Sequence, residues 1–398
     1  MPRVVRIQSR ICVGGPALHT SLLSEALSRT NGSRYDTLLV GGGLEPGEVS
    51  VEPRVRARGV RLEVVESMRR PVRPSSDARA FVDVAKLIRR ERPDIVHTHT
   101  AKAGAIGRAA AIANRVPVIV HTFHGHVFDG YFDPRVARAF IRVERALARF
   151  TDRVLVISEA QKRDIVDRYR IAPASKVRVV PLGLELDRFR TVTPQGAFRK
   201  ELGLTDEPLI VSVGRVVPIK RLDRLLRAFE RVNVRAPRAH LVIVGDGDTA
   251  LRSELEGMVS SPHVHFVGHR DDTPQILADA DVLALSSDNE GTPVAVIEAL
   301  VAGTPVVATN VGGVSEIVPD RAGVIVDKSD EAALGEALLD MCVSRRRLAD
   351  EARHDVLHRY SHRRLIRDIE SLYDELMAER SRGSLFASAL SRLRTDAS

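Results

Sequence analysis

The 398-residue chain has no tryptophan, and aromatic residues make up only 4% of it. Single-strand nucleic-acid binders stack bases on aromatics interleaved with basic side chains. The chain lacks that pattern, so its formal net charge of +8 is not read as a nucleic-acid footprint. Cysteine is equally scarce. Cys12 and Cys342 fall in opposite halves, which excludes a disulfide framework and fits free thiols in a reducing cytoplasm. No apolar run approaches the roughly 18 residues of a membrane-spanning helix. Met1–Ile11 alternates charge with short apolar residues and reads as a first strand, not a signal peptide.

An apolar fraction of 44% is ample for two cores, and the length makes two domains the natural expectation. Those cores must be aliphatic, as in buried parallel sheets. Strand-length apolar runs alternate with helix-length segments. They are Val4–Ile7, Thr37–Val40, Ile95–Thr98, Val118–Thr122 and Arg153–Ile157, then Leu209–Val213, His240–Val244, Val264–Phe266, Val282–Leu285, Pro305–Ala308 and Gly323–Val326. The alternation predicts an α/β chain with two doubly wound parallel sheets. Between Glu52 and Arg92, 12 Lys/Arg face 6 Asp/Glu. A basic surplus of this kind suits phosphate-bearing substrates or an anionic membrane, or is simply a solvated, arginine-rich surface.

One stretch carries most of the chemistry. In Asp288-Asn289-Glu290-Gly291-Thr292-Pro293-Val294-Ala295-Val296-Ile297-Glu298, two carboxylates stand eight residues apart around a helix start. Thr292 suits an N-cap, Pro293 the first helical position and Gly303 the residue past the end. Glu298 sits among apolar neighbours, where a carboxylate needs either ligand hydroxyls or an arginine partner. Upstream, Gly214-Arg215-Val216-Val217-Pro218-Ile219-Lys220 follows a strand, the position at which open α/β sheets bind ligands. Arg215 and Lys220 are suited to converge on a diphosphate, one as a fork and the other as a point charge.

The Glu-x7-Glu pair, the Ala-Gly-Thr-Pro-Val-Val-Ala-Thr that follows it and Gly312-Gly313-Val314-Ser315-Glu316-Ile317-Val318 resemble glycosyltransferase family 4. The resemblance implies a GT-B fold, two Rossmann-like domains facing a cleft with a C-terminal helix crossing back to the first. It divides the chain into an acceptor-side domain (1–190, plus crossing helix 361–378), a linker (191–206) and a donor domain (207–360). The tail 381–398 reads as disordered, although Leu385, Phe386, Ala389, Leu390 and Leu393 form an amphipathic stripe. The resemblance also implies roles for single residues. Arg215 and Lys220 clamp the diphosphate, Glu298 takes the ribose hydroxyls, and Glu290 takes hydroxyls of the transferred sugar. Gly291, Thr292 and Pro293 bring backbone close to sugar and phosphate. The loop at His269 and Arg270 holds the nucleobase largely by backbone, and Gly15 lies in the glycine pair Gly14-Gly15 of the first loop.

Five of the 13 histidines gather at two strand ends: His97, His99, His121, His124 and His126. Zinc ligation has to be weighed there, but no cysteine accompanies them. The family motif His-Thr-x-His-Gly assigns contact with the transferred sugar to His124. Together with Glu290, Arg215 and Lys220 it completes the expected catalytic set. No Asp-x-Asp sits where a metal clamp is expected, so neither a metal nor a cofactor is expected beyond a nucleoside-diphosphate sugar, UDP favoured over GDP. The expected enzyme is a retaining transferase of a hexose or N-acetylhexosamine to an acceptor hydroxyl, in cell-surface glycan synthesis. It is expected in the cytoplasm with peripheral contact to an anionic membrane, acting on a glycan or lipid-linked acceptor and not on nucleic acid. The competing readings are a nucleotide-sugar epimerase or phosphorylase on the same fold, and a non-catalytic basic binding module.

Overall fold

A computed structural model describes residues 1–395 apart from 13, 14, 30, 31, 46, 47, 70, 126, 127 and 129–132, with side chains to residue 382. The chain divides into two compact units, Met1–Gly183 with His362–Ser398, and Leu184–Ser361.

The first unit is built on a seven-stranded sheet: β1 (Arg3–Ile7), β2 (Asp36–Gly42), β3 (Arg61–Val65), β4 (Ile95–His99), β5 (Val118–Thr122), β6 (Arg153–Val156) and β7 (Val177–Val179). Its strand order is β3-β2-β1-β4-β5-β6-β7, parallel throughout. Strands β4 and β5 are buried at every position, as strands covered on both faces must be. β3 is an edge strand whose Arg61 and Glu63 break the apolar run, which is why hydrophobic patterning alone does not find it. One layer of the core packs Leu23, Leu27, Val118 and Val120 against Leu365, Ile369, Leu372 and Tyr373 of the last helix.

The second unit holds a parallel six-stranded sheet: β8 (Leu209–Val213), β9 (His240–Val244), β10 (Val264–Gly268), β11 (Val282–Leu285), β12 (Val306–Thr309) and β13 (Gly323–Val326), in the order β10-β9-β8-β11-β12-β13. In both sheets the chain reverses its winding beside the first strand, between β1 and β4 and between β8 and β11. Those are the positions at which open α/β sheets take ligands.

Three expectations change. Part of the linker 191–206 is held on the second unit. Asp279 accepts from the amides of Gln195, Gly196 and Phe198 at 2.9, 2.9 and 3.0 Å, and Phe198 is buried in the second unit. A buried carboxylate needs such donors, and here the chain segment supplies them. The last helix runs from His362 to Thr395, so its backbone continues through residues 381–395. The helix Val294–Ala302 starts one residue later than expected, as described below.

Candidate active site

The second unit's switch point brings together the loops after β8 and β11. Ser286 donates to the carbonyls of Lys220 and Arg221 at 2.9 and 3.0 Å, and the Asp288 amide donates to Ile219 O at 2.9 Å. The Asp288 carboxylate accepts from Arg221 at 3.1 Å and from Arg224 at 2.7 Å. With the loops pinned, Lys220 Nζ donates to Glu290 Oε1 at 2.6 Å, and Ser287 Oγ donates to the same oxygen at 2.6 Å. Arg215 is exposed and makes no hydrogen bond or ion pair among the described residues. The two expected clamp residues therefore differ: Lys220 is already engaged by a carboxylate, while Arg215 stands open. Gly312, at φ 54°, lies against this loop so closely that a Cβ there would fall 1.6 Å from Glu290 O. Only glycine meets both conditions.

The helix beyond this loop spans Val294–Ala302, with Pro293 at the cap position and Gly303 in the left-handed region at φ 85°. No side chain caps it. Thr292, expected to do so, has a buried Oγ1 without a partner among the described residues. Pro293 keeps a helix-compatible φ of −70°, but its ψ of 113° is extended, so the first helical residue is Val294, one position later than the Thr-Pro spacing suggests. The first-turn amides keep no side-chain acceptor, which is the local condition for binding an anion. On this helix Glu298 makes no hydrogen bond or ion pair among the described residues, and burial pushes its carboxyl up to about 7, only partly offset by the charge of Arg188. Of the two ways to satisfy Glu298, an arginine partner or ligand hydroxyls, the first is not realised as a contact.

The loop after β10 is exposed at His269, whose amide donates to Asp246 Oδ2 at 3.1 Å. Arg270 is held by Asp272 at 2.7 Å and bidentately by Glu201, and these two carboxylates raise its pKa. Its guanidinium stacks over Phe198 at 5.6 Å. The Arg270 side chain is therefore committed to holding the loop, and only its backbone remains for a ligand. Gly291 accepts from the Gly313 amide at 3.0 Å, which ties the Glu290 loop to the glycine pair after β12.

In the first unit, Gly15 opens the helix Gly15–Ala26. That helix carries His19, which no motif in the sequence marks. His99 Nδ1 and His124 Nε2 share a hydrogen bond of 2.9 Å, and the His19 ring meets His124 edge-on at 4.7 Å between centroids. Burial lowers the pKa of His124 to about 4 and holds those of His19 and His99 well below the usual range, so all three are neutral near pH 7. His97 and His121 are spent structurally: His97 bonds Tyr373 and Thr122, each at 2.7 Å, and His121 bonds Thr98 at 2.9 Å. His126 lies outside the described residues.

Ligand nitrogens of His19, His99 and His124 lie within 4.8 Å of one another, so zinc has to be weighed, although its nitrogen ligands stand only about 2.0–2.1 Å from the metal. The electrostatics oppose a dication. The fully buried Arg6, paired in register with His97 on the neighbouring strand, is bonded only to Tyr373 OH among the described residues, at 3.3 Å, and its positive charge acts on His19, His97 and His99. The trio reads better as a neutral hydrogen-bonding surface. In the second unit, the carboxylates of Asp246-Gly247-Asp248 are each engaged in part by the protein. Asp246 receives the His269 amide and faces Arg252 at 3.5 Å, while Asp248 caps the helix Thr249–Gly257.

Residues 13–188 match the family model described as Glycosyltransferase Family 4, and residues 207–343 match Glycosyl transferases group 1. The UDP-Gal:alpha-D-GlcNAc-diphosphoundecaprenol alpha-1,3-galactosyltransferase of Escherichia coli is 30% identical over 70% of this chain and 74% of its own. The D-inositol 3-phosphate glycosyltransferase of Xylanimonas cellulosilytica is 33% identical over 82% of each chain. Among solved structures, HepE of Anabaena in complex with UDP and glucose superimposes with a TM-score of 0.78 at 19% identity, over 94% of this chain and all of that one, and shows the shared fold. Two doubly wound parallel sheets, a cation–carboxylate loop pair at the second switch point and these relatives lead to one conclusion: the chain belongs to glycosyltransferase family 4 and is a GT-B nucleotide-sugar glycosyltransferase.

Proposed function

We propose that the chain moves a hexose or N-acetylhexosamine, with retention of configuration, from a uridine diphosphate donor to a hydroxyl of a lipid-linked glycan. The Lys220–Glu290–Ser287 constellation beside the open Arg215 carries this reading. Arg215 and Lys220 stabilise the leaving diphosphate as a fixed cationic environment, where no reorganisation is needed as charge develops. On donor binding, Lys220 is shared between Glu290 and the phosphate, and the freed lone pairs of Glu290 accept from sugar hydroxyls. Glu298 takes the ribose hydroxyls. His124, oriented by His99, offers its unpartnered Nδ1 to the transferred sugar and, being neutral, does so by hydrogen bonding alone.

UDP is preferred over GDP because the E. coli relative is named for UDP-Gal and the HepE complex holds UDP. Catalysis without a divalent metal fits the charge that Arg215 and Lys220 bring to the leaving diphosphate. The diphosphoundecaprenol acceptor in the name of the E. coli relative supports a lipid-linked acceptor, hence a peripheral position at the inner face of the membrane. The test is release of free nucleoside diphosphate across a donor panel with a soluble diphosphate-linked sugar acceptor. Turnover confined to uridine donors is expected. Turnover with guanosine donors alone would replace the donor assignment.

A further inference from the structure

The helix Pro134–Ala148, followed by Arg149 and Phe150, has an unusual exposed face. Val136, Val143 and Phe150 are 43%, 47% and 61% exposed, and they recur every seven residues, so they form one stripe along the helix. Ala139 and Ala146 lie beside it, also exposed. Next to these runs a second stripe, Arg135, Arg142 and Arg149, with Arg138 and Arg145 at its outer border. Among the described residues none of the five arginines has a carboxylate partner. Arg138 and Arg145 bond only backbone carbonyls, of Pro134 and Tyr169. The acids of this helix are withdrawn from the face. Glu144 is buried on Arg108 at 2.6 Å, and Asp133 is turned onto the Arg135 amide as the N-cap. The opposite side is anchored in the core through Ala137 and Ala148.

The segment 52–92, whose charge surplus suggested a membrane contact, is different. Arg56 pairs with Glu52, Arg58 with Glu25, Arg61 with Asp36 and Glu91, Arg69 with Glu66, and Arg90 with Glu63 and Glu91. Five of its arginines are thus neutralised locally, and among the described residues its exposed side chains form no apolar stripe.

We infer that the Pro134–Phe150 face is a docking surface for an anionic lipid bilayer. Its arginine stripe sits over the headgroups, and Val136, Val143 and Phe150 enter the interface between them. A helix with one apolar and one cationic exposed half lies flat in that plane. A soluble acidic protein would satisfy the arginines but would leave the apolar stripe in water unless it brought an apolar ridge of its own. An anionic membrane offers both chemistries at one surface. The inference builds on the lipid-linked acceptor reading but does not need the reaction to be observed.

Because the chain has no tryptophan, Phe150→Trp in the full-length protein gives a single fluorescent reporter. Its emission is expected to shift to the blue on vesicles of phosphatidylglycerol and phosphatidylcholine at low salt, to stay unshifted on phosphatidylcholine alone, and to return when salt screens the attraction. Arg135→Gln with Arg138→Gln and Arg142→Gln should weaken partitioning on the order of 100-fold, about fivefold per charge. Arg54→Gln with Arg79→Gln and Arg89→Gln removes the same charge from segment 52–92 and should change partitioning by no more than a few fold. Equal loss in the two triple variants would reduce the effect to net charge and overturn the assignment. So would unshifted emission of the Phe150→Trp reporter on anionic vesicles. A blue shift that follows protein concentration without lipid would overturn it too, and assign the face to self-association. Donor turnover on a soluble acceptor, measured on the same variants, separates failure of docking from failure of the transferase reading.

Discussion

Glu298 should destabilise the ligand-free protein, and replacing it should expose a conflict between stability and function. Burial raises its carboxyl from an ordinary 4.5 to about 7. A tenfold change in proton affinity is worth about 1.36 kcal/mol, so the ionised group costs roughly 3 kcal/mol relative to an unperturbed one. The sign follows from linkage. The folded protein holds the proton longer than the unfolded chain. Stability is therefore full below 4.5, falls as pH rises from 4.5 toward 7, and stays low above it. Glu298→Gln removes the titrating charge. At pH 8 it should raise the melting temperature of the Leu184–Ser361 unit by several degrees, since about 1 kcal/mol moves a unit of this size by roughly 2–4 °C. At pH 4.5 the variant and the parent should melt together. Uridine diphosphate affinity should fall about 10- to 100-fold, because hydrogen bonds to a charged acceptor contribute roughly 1.5–3 kcal/mol. Thermal melts at both pH values, with and without the nucleotide, test all of this at once. A variant that melts at or below the parent at pH 8, with the same pH slope, would show that Glu298 has a partner the reasoning omits.

Arg215→Ala should lower kcat/KM by about 2–4 kcal/mol of transition-state stabilisation with an unchanged melt; a near-normal kcat/KM would remove Arg215 from the clamp. Lys220→Ala should lose both activity and stability, because it strands Glu290 with Ser287 as its remaining donor; identical melts for the two variants would contradict the contact. Turnover in excess chelator should persist, and activity restored only by manganese or magnesium would remove the metal-free reading. His124→Ala should keep donor affinity while losing most transfer, and calorimetry showing lost nucleotide affinity would place the imidazole elsewhere. Gly312→Ala should impair donor binding through displacement of the Glu290 loop, since its Cβ cannot coexist with Glu290 O; a crystal structure of the variant with the loop unmoved would refute that.

The strands of both sheets were largely in plain view, whereas their order, and so the two switch points, came from the structure. Buried parallel strands are short aliphatic runs, and eleven of them stand out between turns and helices. What stayed hidden were strands whose stability comes from position. β3 and β7 sit at the sheet edges, where Arg61, Glu63 and Arg178 are tolerated because one side is open. The motifs likewise marked Arg215, Lys220, Glu290 and Glu298 as polar groups in places that only a ligand or a partner explains.

The sequence by itself determined the fold class, the candidate donor loops and the family, because local patterning and motif spacing are properties of neighbouring residues. Tertiary structure alone decided which groups are free. Lys220 is held by Glu290 across 70 positions, Arg270 by Glu201 across 69, and His99 meets His124 across 25. It also paired Arg56, Arg58, Arg61, Arg69 and Arg90 of segment 52–92 with carboxylates while leaving the arginines of the helix Pro134–Ala148 without one among the described residues, a distinction that a charge count cannot make. Distance and burial set the worth of each charge, and both arise only when the chain closes on itself.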